Sequence, residues 1–317
     1  MDALILITGL VILIMGAYLI VEGATSVAAR TGVSSLVIGL TVVSIGTSLP
    51  EMCVAMVSGL QNKADLAIAN VIGSNIANVL LVLGIVAIIR PLPIQDSTVV
   101  SEIPFSWTAA LLVGFLANAA LFSTNPELSI SRLDGGILLF FFLLFIYYVY
   151  KISGAKVESG QRSYDGMTVT RAITYIGLGI LGLYFGGRWV VDGAVSIAQV
   201  WGVGEALIGL TIVAVGTSSP ELVASAVAAY RNQTDIAVGN IIGSNIFNML
   251  WVLGLTSSIV ELPFEVVNNT DLMMVIASSS MLILAWVTSR SNTVMRPHGI
   301  LFVMTYAAYI AYVVHRG

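Results

Sequence analysis

The chain contains very little charge, two histidines and a single cysteine. Only 9% of its 317 residues are Asp, Glu, Lys or Arg, whereas soluble domains carry about a quarter. The lone Cys53 excludes an internal disulfide, and its apolar neighbours predict a packing role. Both histidines, His298 and His315, lie near the ends of the last apolar run, which argues against a zinc or copper site at depth. The net charge of −4, without a basic patch, gives no indication of nucleic-acid binding.

Long apolar runs make up most of the sequence. Hydrophobic residues make up 57% of the chain, and the mean hydropathy is +0.97. Runs of about twenty apolar residues indicate membrane-spanning helices, and they lack the alternation of a membrane β-barrel. The sequence therefore predicts an all-α polytopic membrane protein with ten transmembrane helices. The predicted spans cover about 3–29, 35–60, 65–89, 101–122, 130–150, 169–199, 205–230, 236–259, 270–289 and 297–314.

The longest polar interruption divides these spans into two groups of five. It predicts a first repeat over 1–151, a short cytoplasmic linker over 152–168 and a second repeat over 169–317. An odd number of spans per repeat makes the second repeat enter the membrane from the opposite side, so the repeats are inverted. The connections that lie on the linker's side of the membrane hold most of the basic residues. This bias predicts a multi-pass plasma-membrane protein with both termini outside.

A hexapeptide recurs 170 positions apart, once in the second span and once in the seventh. Gly46-Thr47-Ser48-Leu49-Pro50-Glu51 matches Gly216-Thr217-Ser218-Ser219-Pro220-Glu221. A second match at the same offset joins Asn70-Val71-Ile72-Gly73-Ser74-Asn75-Ile76-Ala77-Asn78 to Asn240-Ile241-Ile242-Gly243-Ser244-Asn245-Ile246-Phe247-Asn248. Mismatches at Leu49/Ser219, Ser44/Ala214 and Ala77/Phe247 are where unequal gates are expected. Two repeats that each bring a broken, acidic helix to mid-membrane are typical of transporter ion sites.

The doubled motif supplies candidate cation ligands that are all oxygen atoms. An acidic residue at the centre of a membrane helix costs about 2.5 to 3.5 kcal/mol, so Glu51 and Glu221 require a function. Pro50 and Pro220 interrupt the helix, and we expect this to free carbonyls near Ser44 and Ala214. The candidate ligands are Ser44, Thr47, Ser48, Glu51, Ser74, Asn78, Ala214, Thr217, Ser218, Glu221, Ser244 and Asn248.

Hard cations such as Ca²⁺ take six to eight oxygen ligands, often including carboxylates. Two carboxylates balance one Ca²⁺ or two Na⁺, and without a cation they would leave two buried, unpaired negative charges. A site that can change sides only when loaded is that of an obligatory exchanger. Asn75 and Asn245 lie about 100° from the ligand face and are expected to brace a neighbouring helix. Glu22 and Asp192 are expected in a structural or access role, with Arg188 as a partner for Asp192.

The paired GTSxPE and GSNIxN motifs resemble the cation/calcium exchanger superfamily, specifically its sodium/calcium exchanger branch. The resemblance implies ten helices around a central Ca²⁺ site flanked by Na⁺ sites, with Ca²⁺ and Na⁺ as substrates and no cofactor. It implies Glu51, Glu221 and the carbonyls of Thr47 and Thr217 as Ca²⁺ ligands. It also implies a set that serves Na⁺ and completes the centre: Ser44, Ser48, Ser74, Asn78, Ala214, Ser218, Ser244 and Asn248.

Two departures and several alternatives accompany this resemblance. Potassium-dependent members carry Asp where Asn248 stands, which argues against K⁺ co-transport. The GNAxE-type motif of the proton/calcium branch is missing, which favours Na⁺ over H⁺, although H⁺/Ca²⁺ exchange stays the alternative. A cation channel is a weaker alternative, since channel filters usually repeat around a pore. The sequence has neither an HExxH motif nor a Ser/His pair at depth, so it does not indicate an enzyme. We expect a monomer in the lipid bilayer.

Overall fold

The computed structural model describes residues 2–119, 128–153, 167–200, 214–289 and 292–316. Helices dominate it, and most of the predicted linker and the first part of the seventh predicted span lie outside the described residues. The α-helices up to residue 200 are α1 (Asp2–Thr31), α2 (Ser35–Ile38), α3 (Ser44–Thr47), α4 (Leu49–Leu60), α5 (Ala64–Ala77), α6 (Leu83–Ile89), α7 (Asp96–Val100), α8 (Glu102–Ala117), α9 (Arg132–Ser153) and α10 (Val169–Val200). The remaining helices are α11 (Ala214–Thr217), α12 (Ser219–Tyr230), α13 (Thr234–Ile246), α14 (Leu253–Ile259), α15 (Asn268–Thr288) and α16 (Arg296–Arg316).

Several of these helices run on into one another and form longer continuous segments. Within the described ranges, eight helical segments are long and apolar enough to cross a membrane, and a ninth is formed if the bent pair 35–47 and 49–60 counts as one span. The all-helical polytopic fold predicted from the sequence is therefore confirmed. The predicted span that is missing from these nine is the seventh, 205–230, and only its part from Ala214 onward is described.

The second span bends at the motif. Its two parts, 35–47 and 49–60, meet at 46°, and the break is confined to Ser48, with φ −85° and ψ 7°. Pro50 has no N–H to give the Gly46 carbonyl, and it fits without penalty in the first turn of α4. Ser218 has almost the same backbone angles, φ −85° and ψ 6°, before α12. The sequence repeat thus produces the same local break twice.

The third and eighth spans each change from α to π helix in mid-course. The π-helical segments are Asn78–Val82 and Phe247–Val252, and they begin at or next to Asn78 and Asn248. Such π-helical turns are frequently found at functional sites, because the wider turn moves backbone and side chains off the regular ladder. Both spans are deeply buried: 72% and 94% of their most apolar windows lie inside the protein.

Short strands connect the two halves of the chain. β1 (Leu92–Pro93) pairs antiparallel with β4 (Thr293–Val294), and β2 (Ser129–Ile130) pairs antiparallel with β3 (Leu262–Pro263). Each strand therefore has its partner in the other half. The pairing is reciprocal, because β1 and β3 occupy positions 170 residues apart.

The two longest helices, α1 and α10, pack along each other through glycines. A Cβ added at Gly16 would lie 2.7 Å from the Leu183 nitrogen, and one at Gly179 would lie 2.6 Å from the Ile20 nitrogen. Small residues at such contacts allow backbones to approach closely in the membrane. One expectation was wrong here: Cys53 is exposed on α4, beside a cavity, and does not pack in the core.

Candidate functional site

The two motif glutamates lie in the interior, just after the helix breaks. Glu51 is in the first turn of α4 and Glu221 in the first turn of α12, and both are fully buried. The N-terminal end of a helix carries partial positive charge, which favours a carboxylate at this place. Neither glutamate forms a salt bridge in the part of the chain that the structure describes. Their negative charge is therefore stabilised by hydroxyls, by helix ends and by any bound cation.

Hydroxyls from both halves of the chain meet the carboxylates. The Ser48 hydroxyl donates to Glu221 Oε1 at 3.0 Å, and the Ser244 hydroxyl donates to the same oxygen at 3.4 Å. The Ser74 hydroxyl donates to Glu51 Oε1 over a longer distance of 3.5 Å. The bond from Ser48 links residues 173 positions apart, so one site is assembled from both copies of the motif.

The predicted site also holds most of the polar atoms that the fold leaves unpaired. Within the described ranges, nine buried side-chain nitrogen or oxygen atoms have no hydrogen-bond partner. Five of them belong to predicted ligands: Glu51 Oε2, Glu221 Oε2, Asn78 Oδ1, Asn248 Oδ1 and the Ser218 hydroxyl oxygen. A buried polar atom without a partner costs about 1 to 3 kcal/mol. A bound cation would offset that cost.

The other predicted ligands are near the site but play different local parts. The Ser44 hydroxyl donates to the Leu40 carbonyl at 2.8 Å, and the Ser44 carbonyl accepts from the Ser48 N–H at 3.0 Å. The helix therefore holds that carbonyl, and the expected freeing of the Ser44 carbonyl is not seen. Thr217 is half-buried and faces a cavity, and Ala214 begins α11.

A second hydrogen-bonded chain reaches Thr47 and was missed from the sequence. The Thr47 hydroxyl donates to Asn240 Oδ1 at 3.0 Å, and Asn240 Nδ2 donates to the Ser225 hydroxyl at 2.9 Å. In the other half, Asn70 Nδ2 donates to the Glu51 carbonyl at 3.2 Å. Asn70 and Asn240 open the repeated asparagine motif, and that repetition was the signal available in the sequence.

Asp192 and Glu22, the two acidic residues expected in a structural or access role, lie in different environments. Asp192 lies 3.7 Å from Arg188 on the same helix, as expected, and both side chains are more than half exposed. Glu22 forms an ion pair with Arg231, and Tyr18 lies under the Arg231 guanidinium, with 4.4 Å between the guanidinium carbon and the ring centroid. Arg231 is a contact that sequence reasoning did not find.

The chain is similar to known membrane transporters along nearly its whole length. The family model for "Sodium/calcium exchanger protein" matches residues 1–151 and 171–315. A putative antiporter CaxA of Alkalimonas amylolytica is 35% identical over 312 residues, which cover 96% of this chain and 95% of the relative. The sodium/calcium exchanger MaX1 of Methanosarcina acetivorans is 29% identical over 340 residues, covering 97% of each.

A solved structure shares both the fold and the sequence similarity. The sodium-calcium exchanger NCX_Mj, soaked with Na⁺ and Ca²⁺, superposes with a TM-score of 0.82 at 31% identity, covering 98% of this chain and 97% of that one. The relatives are membrane transporters, so this chain is an ion-transporting membrane protein and not an enzyme. Because the family model covers nearly all of the chain, the chain belongs to the sodium/calcium exchanger protein family.

Proposed function

We propose that this chain exchanges Na⁺ for Ca²⁺ across the plasma membrane by alternating access around the site that contains Glu51 and Glu221. The observation that supports this most is the set of unpaired, buried oxygens on the two glutamates and on Asn78 and Asn248. Carboxylate and amide oxygens are the ligands that Ca²⁺ and Na⁺ prefer. The names of MaX1 and NCX_Mj describe those proteins as sodium/calcium exchangers, which favours the same substrates here.

The charge of the site supports an exchange mechanism. Two carboxylates without a basic partner are neutralised by one Ca²⁺ or by two Na⁺. Moving two unneutralised charges through a closed, dry intermediate would carry a desolvation penalty of several kcal/mol per ion. The loaded site can therefore change sides, and the site without a cation is held back, which couples the flow of one cation to the opposite flow of the other.

A cavity of about 490 Å³ supplies an access route from one face. It lies between α4 and α10, and its lining includes both motif prolines, Pro50 and Pro220, as well as Thr217 and Asp192. Arg188, the ion-pair partner of Asp192, lines the same cavity, so the wall carries one charge of each sign. Asp192 serves the access role in this proposal because of its place on that wall.

The corresponding place on the other side is closed. By the 170-residue offset, Glu22 corresponds to Asp192 and Arg231 to Gln61. There α1 packs along α12, and the ion pair between Glu22 and Arg231 joins the two elements. We take this as a state that is open to one face only. Glu22 then has the structural role.

The proposed membrane arrangement is ten spans in two inverted repeats, with both termini outside. The reciprocal pairing of β1 with β4 and of β2 with β3 supports two repeats related by a twofold axis. The open cavity faces outward and the Glu22–Arg231 pair lies at the cytoplasmic side in this arrangement.

Ion flux into vesicles that contain the purified protein tests the exchange. We expect ⁴⁵Ca²⁺ uptake to follow an imposed outward Na⁺ gradient and to be unaffected by a pH gradient. Uptake that follows the pH gradient and ignores Na⁺ would establish H⁺/Ca²⁺ exchange instead. Continuous current under voltage without a counter-ion would indicate a channel.

Substitution of the glutamates tests the site. E51Q and E221Q each keep the shape of the side chain and remove one charge from the Ca²⁺ site, so we expect Ca²⁺ uptake to be lost in both. E265Q alters an exposed carboxylate and should keep full uptake. Retained Ca²⁺ uptake in either motif variant would overturn the proposed site.

A further inference from the structure

Four buried asparagines from the third and eighth spans form a hydrogen-bonded frame. Asn78 Nδ2 donates to Asn245 Oδ1 at 3.1 Å, and Asn248 Nδ2 donates to Asn75 Oδ1 at 3.1 Å. Asn75 Nδ2 donates to the Asn245 carbonyl at 3.0 Å, and Asn245 Nδ2 donates to the Asn75 carbonyl at 3.3 Å. All four side chains are at most 1% exposed. This confirms the expectation that Asn75 and Asn245 brace a neighbouring helix.

The frame determines which end of the Asn78 and Asn248 amides is left unpaired. An amide side chain has an oxygen that accepts and an NH₂ group that donates. The NH₂ groups of Asn78 and Asn248 are both held by the opposite helix, and the Oδ1 atoms of both are buried without a partner in the described part of the chain. A rotated amide would present N–H groups to the site, and these would repel a cation.

Asn75 and Asn245 are suited to impose this orientation because their own amides are fully used. Each accepts an N–H through Oδ1 from one asparagine and donates through Nδ2 to a main-chain carbonyl. Rotating either amide would place NH₂ against NH₂ and oxygen against oxygen, which breaks two bonds at once. Their orientation is therefore fixed by the main chain of the opposite helix.

We propose that Asn75 and Asn245 are positioning residues that hold the amide oxygens of Asn248 and Asn78, respectively, towards the transported cation. This inference rests on the proposed function, since it concerns the same site. Neither positioning residue contacts the cation in this proposal. Each acts across the interface between the third and eighth spans, so each half of the chain orients a ligand of the other half.

Asn75→Ala removes the acceptor that holds the Asn248 amide. The freed amide can rotate, so we expect the KM for Ca²⁺ in ⁴⁵Ca²⁺ exchange to rise roughly tenfold, the effect of losing one buried hydrogen bond. The maximal rate should change much less than KM. Asn268→Ala, at a buried asparagine of α15 outside the site, should leave KM unchanged.

A carboxylate at position 248 provides the decisive comparison, because its two oxygens are equivalent and need no orienting partner. In the N248D background a carboxylate oxygen replaces the NH₂ group that donated to Asn75 Oδ1, so two acceptors face each other there. Adding N75A to that background should therefore not raise KM. The mirror experiment is N245A, with N78D as its background, and it serves equally if one variant does not fold. Melting temperature and size-exclusion profile identify folded variants.

The outcomes separate the inference from the function on which it rests. A rise in KM with N75A in the parent and none in the N248D background supports the positioning role. An equal rise in both backgrounds, or no rise in the parent, would overturn it. If the parent protein itself takes up no Ca²⁺, the proposed function fails, and this inference fails with it.

Discussion

The ion pair between Glu22 and Arg231 should set the balance between the two access states. Their side chains are 18% and 23% exposed, so the pair lies between a surface pair and a fully buried one. Breaking a buried pair costs about 3 to 5 kcal/mol and breaking an exposed pair up to about 1 kcal/mol, so R231Q should cost about 2 kcal/mol. That loss multiplies the ratio of the alternative state to the observed state about thirtyfold.

The chain's single cysteine is a native reporter of this shift. Maleimides label thiols that water reaches, and Cys53 lies exposed beside the cavity that serves as the access route in the proposed function. An alternative state that occupies about 10% of the Ca²⁺-loaded parent would grow to roughly three quarters in R231Q. Labelling of Cys53 by an uncharged maleimide should then slow about fourfold.

A second reporter and a matched control sharpen this assay. Val223, the counterpart of Cys53 on the closed side, is half-buried, so V223C in a C53S background should label faster when R231Q is added. R188Q removes the exposed pair with Asp192, which is worth no more than about 0.5 kcal/mol, and should change labelling less than about twofold. Equal acceleration at both reporters would mean general loosening. No change at either would refute the role given to Arg231.

Two further predictions concern packing and orientation. An added Cβ at Gly179 would lie 2.6 Å from a backbone nitrogen of α1, so G179A should cost about 1 to 3 kcal/mol and lower the melting temperature, whereas G177A, with nothing within 4 Å, should leave it unchanged. Equal melting temperatures for the two variants would contradict the close contact. In a C53S background, an impermeant maleimide added to intact cells should label K63C and not Q233C, because the proposed arrangement puts these turns on opposite faces. The reverse pattern would invert the proposed orientation.

The helices and the site residues could be predicted because membrane insertion leaves strong marks in a sequence. Apolar runs of fixed length define spans, and a carboxylate beside proline inside such a run is too costly to be incidental. The doubled motif then selected Glu51, Glu221 and the serine and asparagine candidates together. Their burial and their unpaired oxygens agree with that selection.

The packing of individual apolar residues could not be predicted in the same way. In water, a buried face differs from an exposed face by its hydrophobicity, but in a bilayer both faces are apolar. Cys53 illustrates this: its apolar neighbours suggested the core, and it lies exposed beside the cavity. The direction of the Asn75 and Asn245 amides was equally hidden, because it depends on which helix faces the third span.

The sequence repeat also could not show that one half has a cavity beside its motif and the other an ion pair between helices. The mismatches expected to make the gates unequal lie within the motif. One of them, Leu49/Ser219, has a local effect, since the Ser219 hydroxyl donates to the Gly216 carbonyl at 2.7 Å. The mismatch that joins two elements lies further along, where Arg231 replaces Gln61. Both repeats carry an acid at the matching place in α1 or α10. Among the described residues Arg231 forms an ion pair with that acid, whereas Lys63, the base of the other turn, forms none. The outward-open and inward-open states would therefore differ in energy by the contribution of the Glu22–Arg231 pair. A cavity beside the Gln61 turn breaks none of the ion pairs between helices that the structure describes, whereas a cavity beside the Arg231 turn would break this one.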